Sequence, residues 1–503
     1  IVGEALPYVS RGALKLEKAF EAFSLDAAGQ TAIDVGASTG GFTEYLLLRG
    51  AVKVYAVDAG SGQLAAKLRA DARVISMEKY NARLLSPKDF PVPPTLAVMD
   101  VSFISQTLIL PALYSVLAER ALLVSLVKPQ FEAGREAIGK GGYAHFMLKE
   151  IHEQPNAIRN TILPRIQDGL PNLEECGITP EALREFRHIQ VVACGTAMHA
   201  GTVGKYVIEK LARVPVTVDI ASEFRYREPL VGEGDLVIII SQSGETADSL
   251  AALRLAKSRG AYTLGIVNVI GSSIAREADN VIYTWAGPEI SVASTKAYTV
   301  QISLIFLLSI RMALLCGRLN EAEARAYTEK LYCDMPRVIE EALKTEDAIK
   351  AAAVDFANYE DLFFIGRGID YFLSMEGSLK LKEISYIHSE AYAAGELKHG
   401  TISLITDKMP VIALATDEAL YEKMISNIRE VKARGAKVLL ITRRDAEHAV
   451  DEAERVLYIP DCDPLFAAIP LATVLQLLAY HVAAARGCDI DKPRNLAKSV
   501  TVE

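Results

Sequence analysis

A short run of hydroxyl residues and one glycine has the chemistry of a phosphate site. The run Ser241-Gln242-Ser243-Gly244-Glu245-Thr246 lies between an apolar segment and a predicted helix that begins at Ala247. The amino end of a helix offers free backbone N–H groups and partial positive charge to an anion, and the hydroxyls add donors. An ordinary helix cap needs only one hydroxyl, so three within six residues favour phosphate binding.

A glycine-rich turn nearer the start of the chain has the chemistry of a nucleoside site. The run TAIDVGASTGGF ends a predicted strand and begins a helix, and Asp58 follows the next predicted strand. The glycines allow a tight turn, and an acid about 20 residues later can bind ribose hydroxyls. A turn without a ligand would need the same glycines, so the pattern alone is weak evidence.

Further along the chain lie side chains suited to proton transfer or covalent catalysis. Lys380 and Glu383 share one face of a predicted helix, a spacing that is also typical of solvated ion pairs. His399 lies beside a glycine, where an imidazole can transfer a proton near neutral pH. The Lys498 amine could form an imine with a ketose carbonyl, although lysines in a terminal tail are usually solvated.

Composition places these residues in a multidomain globular protein. A chain of 503 residues, half of them apolar and 23% charged, suggests about three domains. The net charge of −9 argues against broad nonspecific nucleic-acid binding. The six cysteines are scattered and show no zinc spacing, which favours a reducing cytoplasm. The apolar run 300–316 is interrupted by polar residues, which predicts a buried helix rather than a membrane span. Without an initiator methionine or a secretion signal, the chain is expected to begin inside a larger parent.

Short β-like runs alternate with helical stretches along most of the chain. The clearest runs are residues 31–35, 52–57, 95–99, 189–193, 236–240 and 262–267. Alternation of this kind predicts parallel sheets with crossover helices. It stops between about residues 140 and 187, where glycines and prolines punctuate polar residues and predict a linker.

An internal repeat covers the chain after this linker. Three anchors recur at offsets of 171 to 175 residues: Gly195 with Gly366, Glu223 with Glu396, and Gly260 with Gly435. We therefore predict two copies of one doubly wound α/β domain, at 187–320 and 355–490, with a helical connector at 321–354 and a tail at 491–503. The second copy has no hydroxyl run at 415–420, so one phosphate site per chain is predicted.

Five motifs after residue 142 resemble the isomerase half of glutamine:fructose-6-phosphate aminotransferases: CGTAMHA, SQSGET, EISVASTKAYT, EGSLKLKEISYIHSEAYAAGELKHG and PRNLAKSVTVE. The resemblance implies two sugar-isomerase (SIS) domains and an enzyme that converts fructose 6-phosphate to glucosamine 6-phosphate. It also implies a homodimer. Aldose–ketose proton transfer requires neither a metal nor a redox cofactor, so none is expected for this half.

The resemblance also implies roles for single residues. Glu383, with Lys380 beside it, would move the proton between sugar carbons C1 and C2. His399 would assist ring opening in the site of a neighbouring subunit, and Lys498 would form the imine. Residues implied to hold the phosphate are Ser241, Gln242, Ser243 and Thr246, and those implied to line the sugar site are Thr196, Val292, Ser294 and Ala497.

The nitrogen-donating half of that family is expected to be missing. Family members begin with a nucleophilic cysteine, whereas this chain begins with Ile1 and its first cysteine is Cys176. We therefore expect no glutamine hydrolysis. The remaining half would interconvert fructose and glucose 6-phosphates or accept free ammonia.

Residues 7–139 resemble S-adenosylmethionine-dependent ribosomal RNA 2′-O-methyltransferases of the haemolysin-A type, through YVSRGALKLEKA, DVGASTGGFT, VMDVSFIS and VKPQFEAGRE. The resemblance implies a cofactor site formed by Asp34, Gly36, Ser38, Gly40, Asp58 and Asp100. It also implies that Lys15, Asp100 and Lys128 belong to the catalytic set that deprotonates the ribose hydroxyl. Surface charges are the alternative for the two lysines, and a turn cap is the alternative for the aspartate.

Two parts of that methyltransferase family are missing here, its RNA-binding domain and its last strands with a catalytic glutamate. We therefore expect S-adenosylmethionine to bind only if the truncated domain folds, RNA to be a partner only in that case, and methyl transfer to be lost. The two signatures meet at Lys140-Gly141-Gly142, a tripeptide plausible in both families. A recombined gene and an error of sequence assembly would both give such a join.

The predicted fold is thus α/β throughout: a truncated Rossmann-like methyltransferase domain at 1–140, a linker or helical lead-in at 141–186 and two doubly wound parallel-sheet SIS domains. The predicted function is a cytoplasmic sugar-phosphate isomerase or aminotransferase. The alternative is an RNA methyltransferase whose SIS pair senses a hexosamine phosphate. The joint presence of Glu383, His399 and Lys498 favours the isomerase, because a sensor would not need them.

Overall fold

The computed structural model describes residues 8–10, 12–101, 106–127, 140–174, 180–444 and 451–499. The chain forms two compact units, Ile1–Gly139 and Lys140–Glu503. The finer domain limits drawn from the sequence stay predictions.

The first unit is built on five parallel strands in the order β3-β2-β1-β4-β5. The strands are β1 Thr31–Val35, β2 Lys53–Val57, β3 Val74–Met77, β4 Leu96–Met99 and β5 Leu122–Ser125. The helices are Gly12–Ala22, Gly41–Leu48, Ala66–Arg69 and Leu110–Val116, with short 3-10 turns at Ala82–Leu84, Pro87–Asp89 and Gln106–Leu108. Strands β1 and β4 are buried along their whole length, as expected for a parallel sheet covered on both faces.

The strand order of this sheet reverses between β1 and β4. In a parallel sheet such a reversal opens a crevice at the carboxyl ends of the strands. Helix Gly12–Ala22 packs nearby, where the ring of Phe20 meets the ring of Tyr45 edge to face at 5.3 Å. The glycine-rich turn after β1 and Asp58 after β2 both lie at this carboxyl edge.

The second unit begins with helices Phe146–His152 and Gln154–Ile162, a 3-10 turn at Leu163–Arg165, and a small antiparallel pair, β6 Ile166–Gln167 and β7 Leu170–Pro171. After helix Pro180–Glu185, a five-stranded parallel sheet follows in the order β12-β11-β10-β8-β9. Its strands are β8 His188–Ala193, β9 Val216–Ile220, β10 Asp235–Ser241, β11 Tyr262–Val267 and β12 Asn280–Tyr283. Its helices are Gly195–Leu211, Ala221–Phe224, Ala247–Ser258, Ser273–Glu277 and Lys296–Leu315.

A second sheet of the same kind has the order β14-β13-β15-β16-β17. Its strands are β13 Asp361–Gly366, β14 His388–Ala393, β15 Val411–Ala415, β16 Val438–Arg443 and β17 Arg455–Ile459. Its helices are Ile369–Ser385, Tyr421–Lys432 and Ala468–Ala485, and the 3-10 turns are Glu396–His399, Thr401–Leu404, Glu418–Leu420 and Pro464–Phe466. Numbered from its own first strand, each of the two sheets has the order 2-1-3-4-5, so the predicted repeat and α/β fold class are confirmed.

The two copies are joined by the predicted helical connector and share one apolar core. The connector consists of helices Glu321–Glu329, Met335–Leu343 and Glu346–Phe356, with a π-helical turn at Lys330–Asp334. Helices Lys296–Leu315 and Ala468–Ala485 are long and apolar enough to cross a membrane, but 83% and 89% of their most apolar windows are buried inside the protein. Such burial is typical of core helices, as the sequence predicted for the first of them.

The stretch at 141–186, predicted as a linker or helical lead-in, contains two packed helices. Helices Phe146–His152 and Gln154–Ile162 bury Met147, Ile151 and Ile158 in the core of the second unit. Prolines suggested irregular chain, yet Pro155 lies in the first turn of its helix, where its missing N–H costs nothing. The lead-in is therefore a packed part of the second unit.

Candidate functional site

The phosphate run lies at the reversal of strand order in the first SIS copy. Strand β10 ends at Ser241 and strand β8 ends at Ala193, and these neighbouring strands are parallel, so their carboxyl ends meet. A cavity of about 130 Å³ opens there. It is lined by Cys194, Thr196, Ala197, Ile240, Ser241, Gln242, Ser243, Thr246, Ser249, Ser294, Gln301 and Lys498.

Hydrogen bonds within the phosphate run fix its shape. The hydroxyl of Ser241 accepts the backbone N–H of Gly244 at 3.0 Å and lies 3.2 Å from the hydroxyl of Thr246. The hydroxyl of Ser243 accepts the N–H of Glu245 at 3.2 Å. Gly244 has φ +65°, and a Cβ at this position would lie 2.1 Å from the Ser272 hydroxyl, so the turn requires glycine.

The carboxylate of Glu245 fastens the run to the next loop of the sheet. It accepts the backbone N–H and the hydroxyl of Ser273, each at 2.7 Å, where helix Ser273–Glu277 begins. The carboxylate thus satisfies free donors at that helix start. Glu245 is not among the residues that line the cavity, and its bonds to Ser273 hold the run in place.

Lys498 enters the same cavity from the C-terminal tail. Its ammonium donates to Glu289 Oε2 at 2.5 Å and to the carbonyl oxygen of Ser291 at 2.9 Å. The Glu289 side chain is fully buried and also accepts the N–H groups of Thr295 and Ala297 at 2.8 and 3.1 Å. Burial alone would raise the pKa of Glu289, but the adjacent ammonium and these backbone donors outweigh it and lower that pKa. Lys498 is therefore held by a buried counter-charge and is not a freely solvated tail lysine.

The tail is anchored at several points, which explains how its lysine is placed. The carboxylate of Asp491 accepts the N–H groups of Phe146 and Met147 at 2.9 and 3.0 Å, and its carbonyl accepts the N–H of Val292 at 3.1 Å. Farther along, the Arg494 guanidinium lies 4.1 Å from the centre of the Tyr386 ring. Ser499 closes the tail onto the phosphate run, since its hydroxyl lies 3.0 Å from that of Ser243.

The Lys380–Glu383 pair is largely buried and belongs to a longer network. Lys380 is 1% exposed and donates to Glu383 Oε2 at 2.5 Å, with Glu376 Oε1 at 3.6 Å. Burial alone would lower the pKa of Lys380, but these two carboxylates outweigh it and raise that pKa. Glu376 in turn accepts the hydroxyl of Thr196 at 3.2 Å and pairs with His199 at 2.7 Å. Because Thr196 lines the cavity, a continuous polar path leads from it to Glu383.

Not all of the remaining residues predicted for the site line the cavity. Ser294 lines the cavity and donates to Glu289 at 3.0 Å. Val292 contributes its backbone to the tail anchor, and Ala497 is exposed in the tail just before Lys498. His399 is exposed on a 3-10 turn and is not among the residues that line the cavity of its own chain.

In the second SIS copy, a carboxylate from a neighbouring helix contacts the end of the strand that corresponds to β10. Asp370 is buried and accepts the backbone N–H and the hydroxyl of Thr416, each at 2.6 Å. Thr416 directly follows strand β15, the counterpart of β10. Burial is the main cause that raises the pKa of Asp370 to about 6. The donors at this strand end are thus already occupied by a group of the chain itself.

The first unit has its own cavity, of about 410 Å³, at the reversal between β1 and β4. It is lined by Val35, Gly36, Ser38, Val57, Asp58, Ala59, Gln63, Tyr80, Asn81, Ala82, Asp100, Val101 and Ile109. A Cβ at Gly36 would lie 2.5 Å from the carbonyl oxygen of Asp100, so glycine keeps this turn open. Likewise, a Cβ at Gly40 would lie 2.3 Å from Leu68.

The acidic residues predicted for this cavity are not equivalent in the structure. Asp58 accepts the N–H groups of Ser38 and Gly60, each at 2.7 Å, and faces the cavity. Asp34 is fully buried, accepts the hydroxyl of Thr43 at 2.7 Å and does not line the cavity. Burial raises the pKa of Asp34 to about 7.

Of the residues predicted to deprotonate a ribose hydroxyl, two can be located. Lys15 Nζ lies 3.9 Å from Asp100 Oδ2, and Asp100 lines the cavity. Lys128 lies outside the described residues.

Comparison with known proteins assigns a family to each part of the chain. Residues 8–167 match the FtsJ-like methyltransferase family, and residues 182–311 and 355–486 match the SIS domain family. The SIS matches cover more than half of the chain, and the chain belongs to the SIS domain family. It therefore consists of an FtsJ-like methyltransferase region followed by two SIS domains, as predicted, while the finer assignment to ribosomal RNA 2′-O-methyltransferases stays a prediction.

The SIS part is similar to one group of enzymes in particular. It is 54% identical over 371 residues to the isomerizing glutamine–fructose-6-phosphate aminotransferase of Clostridium acetobutylicum and 55% identical over 366 residues to that of Symbiobacterium thermophilum. These alignments cover 73% and 72% of this chain, which spans about 60% of the length of each relative. The C-terminal domain of the glucosamine-fructose-6-phosphate aminotransferase of Francisella tularensis matches with a TM-score of 0.68 and 43% identity, over 70% of this chain and all of that one.

Proposed function

We propose that the second unit is a sugar-phosphate isomerase that acts on fructose 6-phosphate. With ammonia it would give glucosamine 6-phosphate, and without ammonia it would give glucose 6-phosphate. The observation that carries the proposal is that Lys498 and the phosphate run line one cavity, although more than 250 residues separate them in the chain. The activities named for the similar aminotransferases support the choice of substrate.

The phosphate and the carbonyl of the substrate have matching groups in this cavity. The phosphate would bind the hydroxyls of the run and the N–H groups at the start of helix Ala247–Ser258. Lys498 would add to the C2 carbonyl of the open-chain ketose and, with loss of water, form an imine. Glu289 would serve as counter-charge throughout, because a protonated imine places its positive charge where the ammonium was.

The charged side chains on helix Ile369–Ser385 would carry out the proton shift. Ammonia would first add to the imine carbon and release the Lys498 amine, which leaves a C2 imine of ammonia. Glu383 would then remove a proton from C1 and return it at C2 while the C1 hydroxyl loses its proton, which gives the 2-amino aldose. Without ammonia, water would release Lys498, and the same shift on the C2 carbonyl would give glucose 6-phosphate. Its ion pair with the buried Lys380 restricts the carboxylate to one orientation. His399 is exposed in its own chain, and it would act in the site of a neighbouring subunit during ring opening, which makes the proposed assembly a homodimer.

The proposal is tested by incubating the chain with fructose 6-phosphate, with and without ammonium, and measuring both aldose phosphates. Lys498→Ala should abolish the formation of glucosamine 6-phosphate, the product that requires the imine. Lys492→Ala is the matched control, because Lys492 is exposed in the same tail and its side chain makes no hydrogen bond or ion pair among the described residues. Equal product from the Lys498→Ala chain and the wild type would exclude the assignment.

A second candidate function, S-adenosylmethionine binding, is favoured by the cavity of the first unit. The residues present fit a nucleoside, because Gly36 leaves space that a Cβ would fill. Among the described residues, each carboxylate oxygen of Asp58 accepts one N–H, which leaves a lone pair for a ribose hydroxyl. When bound, this cofactor would supply a methyl group, and Lys15 and Asp100 would lie beside it. Calorimetric titration with S-adenosylmethionine tests the idea. Absence of binding would remove it and also the alternative of an RNA methyltransferase with a sensing SIS pair.

A further inference from the structure

The lead-in helix Phe146–His152 carries one buried carboxyl group toward the Lys498 site. Glu150 is 2% exposed. Its Oε1 accepts the backbone N–H of Ile290 at 2.5 Å and that of Ser291 at 3.3 Å. Its Oε2 is buried and has no hydrogen-bond partner among the described residues. A buried polar atom without a partner is costly, so its retention here calls for a role.

The backbone that Glu150 holds is the segment that binds Lys498. Glu289 and Ser291 supply both acceptors of the Lys498 ammonium. Ile290 lies between them, and Glu150 accepts the N–H groups of Ile290 and Ser291. The lead-in helix therefore sets where these two acceptors lie. The same helix receives the tail anchor at Asp491, so it fixes Lys498 from both sides.

Charged groups from three other elements face Glu150. They are Glu289 on its loop, Lys498 in the tail and Lys296 on helix Lys296–Leu315. Lys296 is itself paired at 2.7 Å with Glu153, which follows the lead-in helix. Burial and, after it, the nearby Glu289 carboxylate raise the pKa of Glu150 to about 8, although the two lysines oppose the shift. At neutral pH Glu150 is therefore mostly an uncharged acid, and in alkaline solution it becomes a second carboxylate beside Glu289.

We propose that Glu150 is a positioning residue for Lys498 and that it affects this lysine in two ways. As a neutral acid it holds the Glu289–Ser291 segment against the lysine. When it ionises, the added negative charge retains the proton on the Lys498 amine and opposes nucleophilic attack. The relevance to imine formation rests on the function proposed above, whereas the effect on the amine does not.

Reductive methylation of the full chain tests the proposal without any sugar. Formaldehyde and cyanoborohydride label lysines only as free amines, and mass spectrometry reports the rate at each residue. At about pH 9, Glu150→Gln should label Lys498 about threefold to tenfold faster than the wild type, from the Coulomb energy of one nearby charge, and at about pH 6.5 the two rates should agree. Lys492 provides the internal reference in both chains. Equal Lys498 rates at about pH 9 would overturn the proposal.

The wild-type chain alone gives a second test, should Glu150→Gln fail to fold. The labelling rate of Lys498 should rise less steeply with pH than that of Lys492 above about pH 7.5, because the charge on Glu150 develops over this interval. Parallel profiles would contradict the proposal. If no chain converts fructose 6-phosphate, the proposed function fails while the labelling result still decides the role of Glu150.

If the isomerase activity is found, its pH profile offers a third test. The wild-type kcat should fall above about pH 8, and Glu150→Gln, which keeps the Oε1 acceptor but cannot ionise, should retain its kcat there. A merely structural role would lower kcat at every pH and leave the shape of the profile unchanged, and that result would overturn the proposal.

Discussion

Replacement of Gly244 by alanine should weaken phosphate binding, because two constraints act on this position. Its φ of +65° lies in the left-handed region, where a residue with a Cβ costs about 1–2 kcal/mol. The added Cβ would also lie 2.1 Å from the hydroxyl and 2.6 Å from the Cβ of Ser272. Ser272 is buried, so it has little room to move aside.

The two constraints together set the expected magnitude. Overlap of this kind in a packed interior costs about 1–3 kcal/mol. The sum is about 2–5 kcal/mol, and the run can relieve it by leaving the position in which it binds an anion. If the whole cost appears in binding, the affinity for a phosphate ester falls by about 30-fold to 4,000-fold.

Calorimetric titration with fructose 6-phosphate and with inorganic phosphate would measure this loss. Gly260→Ala is a matched control at the other end of helix Ala247–Ser258, since its φ is +85° but the nearest atom to its Cβ would be 3.8 Å away. It should lose about 1–2 kcal/mol of unfolding free energy and no affinity. Adding Ser272→Gly to Gly244→Ala removes the overlap and should restore part of the binding.

Two results would refute this reasoning. The Gly244→Ala chain could bind both ligands as tightly as the wild type, which would mean that the run does not form the anion site. The double variant could bind no better than Gly244→Ala, which would mean that Ser272 does not hold the turn.

Three further predictions concern other residues. Co-expressed Lys498→Ala and His399→Ala chains should regain about a quarter of wild-type activity, because half of the dimers are mixed and each mixed dimer has one complete site. No recovery would place His399 in the site of its own chain. Asp58→Ala should weaken S-adenosylmethionine binding about tenfold or more in calorimetry, since a charged hydrogen bond to ribose is lost, and an unchanged Kd would remove Asp58 from that site. Between about pH 4 and 7 the unfolding free energy of the first unit should fall as pH rises, by up to about 1.4 kcal/mol per unit, because buried Asp34 keeps its proton only in the folded state. The unfolding free energy of Asp34→Asn, measured by denaturation, should not fall with pH in this way. An unchanged dependence on pH would mean that Asp34 is not its cause.

The sheets and the phosphate run were predictable because they depend on local pattern. The apolar runs 236–240 and 262–267 mark strands β10 and β11 to within one residue at each end, since strands buried on both faces are uniformly apolar. The repeat then indicated the common strand order of the two SIS copies. Lys498 was different, because only resemblance to a family singled it out, and nothing local marks a tail lysine as the partner of a buried carboxylate.

The carboxylates around Lys498 were missed for a physical reason. Glu289 and Glu150 lie far apart in the chain, and their meeting depends on how the lead-in helix packs. A single glutamate is usually a solvated surface group, so neither drew attention. The weak signal available was that Glu289 interrupts an otherwise uncharged loop, between Trp285 and Thr295.

The lead-in shows how composition can mislead. Glycine and proline between residues 140 and 187 indicated irregular chain, but a proline is compatible with the first turn of a helix. The more informative pattern was the apolar spacing of Met147 and Ile151, which repeats at the period of one helical face.

The carboxylate of Asp370 gives the second SIS copy an internal ligand that never dissociates. A tethered group competes at a high effective concentration, so free sugar phosphates in the cell would not displace it from Thr416. Among the described residues of the second copy, the N–H and hydroxyl of Thr416 are therefore already occupied and are not free to bind an anion. Asp370 bonds the first turn of helix Ile369–Ser385 to Thr416 at the end of strand β15. The same helix carries Lys380 and Glu383 near its other end.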